Sequence, residues 1–213
     1  EISRDISYDL AYKWPTFNLT YEHVSDPIYQ TVEMYKDNAT IGLMRMINGK
    51  SYNNVSSMLT LQPDFGIWHP VLSAMVEKQW FKLETRDGHY LNKPVAELKF
   101  NNTFDTKWAM FSVMMTYITK GYEENLYIYK PLFNTDLSIY KGFLKDCLTL
   151  RLYVSDVFCT NDSHIIGKYG KLKETIFDEF STSKISLTVR YKFNVTRSKY
   201  KGTGAGQSQK DRM

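Results

Sequence analysis

The sequence predicts a mostly β protein with a few helices, built as a β-sandwich or a cupped antiparallel barrel. β-branched and aromatic residues alternate with polar ones over several stretches, turn residues separate those stretches, and no regular strand-helix-strand order appears. One-sided alternation favours an antiparallel sheet with one dry and one wet face. The alternative is an α+β fold with helices packed on one face of such a sheet. With 213 residues, 43% hydrophobic and 15% aromatic, the chain can bury the core of a single domain. That domain is expected over residues 1–200, with 201–213 as a flexible basic tail.

The elements follow in order. Thr16 to Glu22 alternates as a strand with Phe17, Leu19 and Tyr21 on its apolar side. Ile28 to Lys36 and Thr40 to Ile47 read as a hairpin across Asp37-Asn38, and Asn48-Gly49 turns into a third meandering strand, Ser51 to Leu61. Pro70 to Leu83 reads as a helix, because Leu72, Met75, Val76, Trp80 and Leu83 recur at helical spacing after a first-turn proline. Leu98 to Asn101 returns to strand alternation. Thr106 to Lys120 satisfies both periods and is assigned as a short buried helix ended by Gly121. Asn125 to Lys130 and Leu148 to Val154 read as strands, Leu172 to Phe180 as an amphipathic helix, and Ile185 to Thr196 as the strongest strand of the chain.

Charge and hydropathy narrow the partners. The formal charge of +4 resides in the last 17 residues, so the body is neutral and lacks the basic stripe that nucleic acid requires. The longest near-uniform apolar run, Trp108 to Ile118, is far shorter than the roughly 20 residues of a membrane-crossing helix, which predicts no membrane span. The charged first residues lack an apolar signal core, so a mature or trimmed chain is expected.

Compartment is read from Asn-X-Ser/Thr triplets. Six of 12 asparagines open one: Asn18, Asn38, Asn54, Asn101, Asn161 and Asn194. About two would arise by chance, and strand alternation puts Asn18, Asn54, Asn101 and Asn194 opposite the apolar side chains. N-glycosylation at all six, and a secreted protein or ectodomain, is the expectation. Cys147 and Cys159 are an even pair that permits one disulfide, provided the chain reverses at Ser155-Asp156.

No catalytic template is met. His23, His69, His89 and His164 lack metal-ligand spacing, and the acidic pairs Glu123-Glu124 and Asp178-Glu179 read as solvated. The glycine-rich stretch from Gly202 lacks the flanking strand and helix of a phosphate loop. No enzyme activity, metal or cofactor is therefore expected. Methionines and aromatics instead point to an apolar pocket lined by Trp68, Met75, Trp80, Met110 and Met114. The expected function is a secreted, glycosylated binding protein for a lipid-like small molecule or an extracellular protein. A secreted hydrolase with a site assembled by the fold, and a viral or structural surface glycoprotein, are the alternatives.

Overall fold

In the computed structural model, residues 2–35, 38–81, 91–169, 172–178 and 182–193 are described. They form fifteen strands and, among the described residues, no helix. The strands are β1 (Ile2–Ala11), β2 (Pro15–Ser25), β3 (Ile28–Tyr35), β4 (Asn38–Asn48), β5 (Ser51–Leu61), β6 (Trp68–Phe81), β7 (Val95–Asp105) and β8 (Met110–Ile118). They continue with β9 (Gly121–Glu123), β10 (Leu126–Ile128), β11 (Leu132–Phe143), β12 (Leu148–Ser155), β13 (Ser163–Tyr169), β14 (Leu172–Asp178) and β15 (Lys184–Tyr191).

Nine of them make one antiparallel sheet in the order β1-β2-β5-β6-β7-β8-β11-β12-β15, an up-and-down meander in which every new strand adds beside the last. Its connections alternate in length. Residues 12–14, 62–67, 106–109 and 144–147 are tight turns at one end, while 26–50, 82–94, 119–131 and 156–183 are long excursions at the other.

Local chemistry closes the tight turns. The Asp64 carboxylate accepts from the Gly66 amide at 2.9 Å, with Gly66 at a φ of 77° that only glycine adopts freely. Thr106 donates its hydroxyl to the Ala109 carbonyl at 2.7 Å. Within the long excursions, β3 and β4 pair as a separate hairpin, and β14-β13-β10-β9 form a four-stranded sheet that joins two excursions into one cap.

The small buried core lies at that end. Phe81 and Leu91 are almost fully buried, with Tyr29 and Tyr52 set edge-on to Phe81 at 5.3 and 5.7 Å. Beside them the buried Gln79 side chain donates to the carbonyls of Leu91 (2.8 Å) and Glu124 (2.7 Å) and accepts from the Glu124 amide (2.7 Å). One side chain thus ties strand β6 to two of the excursions.

The antiparallel β prediction holds, as do the hairpin β3–β4 and the strand Ser51 to Leu61. Three helix assignments are corrected: Pro70 to Phe81 belongs to β6, Thr106 to Lys120 contains a turn and β8, and Leu172 to Phe180 contains β14. The α+β alternative falls with them. β5 does not pair with β4 as a third meandering strand; it returns to β2, with Tyr21 opposite Val55 and Leu19 opposite Ser57. Asn194 to Thr196 and the basic tail lie outside the described residues.

Candidate functional site

The functional feature is the nine-stranded sheet itself, whose two faces have opposite chemistry. Side chains alternate across a strand, and the register aligns like with like between strands. On one face Ile6 stands opposite Tyr21, Leu72 opposite Phe100, Leu98 opposite Tyr117, Ile139 opposite Leu152, and Leu152 opposite Leu187. This apolar face is uncovered: Ile6 is 74% exposed, Val76 49%, Leu98 44% and Leu187 65%. Along all nine strands it carries no carboxylate, and its only Lys or Arg side chains are Arg4, Lys78 and Lys141 near the strand ends.

The opposite face is polar and hydrogen-bonded across strands. Ser3 donates to Glu22 (2.9 Å), Asn18 to Asp9 (2.7 Å), Asn54 to Glu77 (2.8 Å) and Tyr153 to Asp136 (2.7 Å). Thr60 and Ser73 share a bond of 3.3 Å. In a water-soluble sandwich the apolar face would be buried and the polar face wet. Here the apolar face is the open one, which is the inverse arrangement expected where lipid lies outside a wall and water inside it.

Aromatic residues mark the borders of the apolar face. At the tight-turn end Trp68 stacks between Phe65 (5.1 Å) and Phe104 (6.2 Å), and its indole N–H donates to Asn102 at 3.1 Å. At the other end of the same strand Trp80 sits beside Lys78, whose ammonium lies 5.1 Å from the ring. From Trp68 to Trp80 the strand runs about 40 Å, long enough to carry an apolar band of about 25 Å between two aromatic borders even when tilted as membrane-barrel strands are. The remaining tryptophans, Trp14 and Trp108, lie in the tight turns 12–14 and 106–109.

Residues 3–191 match the Outer membrane protein beta-barrel family. The chain belongs to that family. No curated protein and no solved structure matches it.

Membership in the outer membrane protein β-barrel family overturns the secreted assignment and the expected absence of a membrane span. A barrel crosses the bilayer with strands of about ten residues, so the length of an apolar run does not test for it. The reading as a secreted, glycosylated carrier or extracellular recognition protein, with an apolar small molecule or extracellular protein as partner, is corrected with it. Asn18, Asn54 and Asn101 do lie on the polar face, as alternation predicted, but in an outer-membrane barrel that face is the inside of the wall. Asn161 lies in the excursion after β12, and Asn38 opens β4.

The proposed apolar pocket is not one place. Trp68 and Trp80 stand on the apolar face at opposite borders, whereas Met75, Met110 and Met114 project from the polar face. Cys147 and Cys159 are free thiols, because the eight residues of β12 separate one end of the wall from the other.

At the loop end an aspartate pair anchors the excursion 156–183. The Asp156 amide donates to Asp136 at 2.9 Å, and the Asp156 carboxylate accepts from Thr182 and from the amides of Thr160 (2.9 Å) and Asn161 (3.3 Å). Desolvation pushes the Asp156 carboxyl upward, but these donors outweigh it and hold the group below the usual carboxylate range. Sequence reasoning missed this anchor, since its partners are up to 26 residues apart. The signal it could have used for the wall was the placement of all four tryptophans at strand ends or in the turns between strands.

Proposed function

We propose that the nine-stranded sheet is part of the wall of an outer-membrane barrel that gives polar solutes a route across the bilayer. The observation that carries this reading is the two-faced sheet, apolar and uncovered on one side, polar and cross-linked by hydrogen bonds on the other. The excursions packed around Phe81, Leu91 and Gln79 cap one mouth of that route and restrict what enters.

Single cysteines on the two faces test it. In a background with Cys147 and Cys159 changed to serine, Leu98→Cys and Ile139→Cys on the apolar face are expected to resist a membrane-impermeant maleimide in lipid vesicles. Met58→Cys and Thr103→Cys on the polar face are expected to react. Equal labelling of both sets would overturn the assignment of the faces.

A further inference from the structure

The apolar face carries an uneven distribution of charge at its loop-end border. Register places Arg4, His23, Asn53 and Trp80 in one row across β1, β2, β5 and β6, with Ile6, Tyr21, Val55 and Lys78 in the row below. The last apolar-face residues at the loop end of the other five strands are Ala96, Tyr117, Phe133, Val154 and Ile185, none of them cationic. The two Lys or Arg side chains of this border, Arg4 on β1 and Lys78 on β6, therefore flank one run of four adjacent strands, with His23 between them.

Their surroundings suit an anion. Tyr21 donates its hydroxyl to the Asn53 side-chain oxygen at 2.8 Å, and His23 Nδ1 lies 2.8 Å from the same oxygen, so the polar centre of the patch is already ordered. Lys78 directs its ammonium toward Trp80 and the border. Among the described residues neither Arg4 nor Lys78 has a carboxylate partner, and the nearest acids in register, Asp5, Glu22 and Glu77, belong to the opposite face. Below the patch the uncovered side chains of Leu19, Leu59 and Val76 continue down the wall.

We propose that this patch binds a phosphorylated lipid of the adjoining leaflet, its headgroup on Arg4, His23 and Lys78 and its acyl chains along the apolar face. Arg4 and Lys78 start about 16 Å apart at the backbone, from three strand spacings across and two residues along, a gap that two long side chains can close onto one headgroup phosphate. The inference rests on the apolar face being the lipid-facing one.

Native mass spectrometry of the full chain in detergent, offered equal amounts of phosphatidic acid and phosphatidylcholine, tests it. Phosphatidic acid adducts are expected to exceed phosphatidylcholine adducts by about tenfold. The preference is expected to vanish in the Arg4→Gln/Lys78→Gln variant and to survive in Lys141→Gln at the other border. Phosphatidylcholine adducts without a phosphatidic acid preference would overturn the site while leaving the lipid-facing wall intact. No adduct of either lipid would remove the wall reading as well. Displacement of the lipid by an equal concentration of glycerol phosphate would show a simple phosphate site and overturn the lipid proposal.

Discussion

At Asp156 the backbone turns with a φ of 46°, and its buried carboxylate collects Thr182 and the amides of Thr160 and Asn161. Its depressed pKa makes the anchor pH-dependent with a defined sign. A carboxyl whose folded pKa is lowered contributes stability that is fully present above the ordinary carboxylate value of about 4 and is lost as pH falls through the folded value. Asp156→Asn is expected to cost about 1–3 kcal/mol at neutral pH, because donors aimed at the carboxylate lose part of their acceptor. Urea unfolding of the detergent-solubilised protein should show that gap at pH 7 and a smaller one below pH 4. Residues of this kind were not legible in the sequence. Asp136, Asp156 and Thr182 come together only once β11, β12 and β15 are paired, and nothing in their local spacing announces it.

The strands were legible in proportion to how one-sided they are. β5 and the hairpin β3–β4 were bounded correctly or nearly so from alternation and turn residues. β6 and β8 failed for a shared reason: their polar-face positions include Val71, Met75 and Phe81 in one and Met110, Met114 and Ile118 in the other. Apolar side chains on both faces erase the period of two and let a helical period fit. The consequence of burial in lipid is testable at the same scale. Leu98 lies near the middle of the apolar band, and Leu98→Arg is expected to destabilise the folded protein by about 2–4 kcal/mol. Thr116→Arg, on the polar face of the neighbouring strand, is expected to cost under about 1 kcal/mol. Unfolding titrations in lipid vesicles compare the two, and similar losses would contradict the facing assigned here.

For the molecule as a whole, alternation reveals that a sheet has two faces but not which solvent meets each one. The neutral body and the polar positions of Asn18, Asn54 and Asn101 were therefore read as an aqueous exterior, when the same pattern describes a wall with water inside. The polar face holds Asp5, Asp9, Glu22, Glu77, Glu97, Asp105 and Asp136 against Lys99, Arg151, Lys184 and Arg190, so it is net acidic. Reversal potentials in a potassium chloride gradient are expected to show cation preference, reduced in Glu97→Gln/Asp105→Asn. An anion preference would place another surface in control of the route. The meander also carries a parity. Nine strands in strict up-and-down order leave β1 and β15 running the same way, so a direct seam between those two edges would be a parallel ladder in an otherwise antiparallel wall. An antiparallel seam takes an odd number of intervening strands, which brings the circumference to the even count of bacterial single-chain barrels.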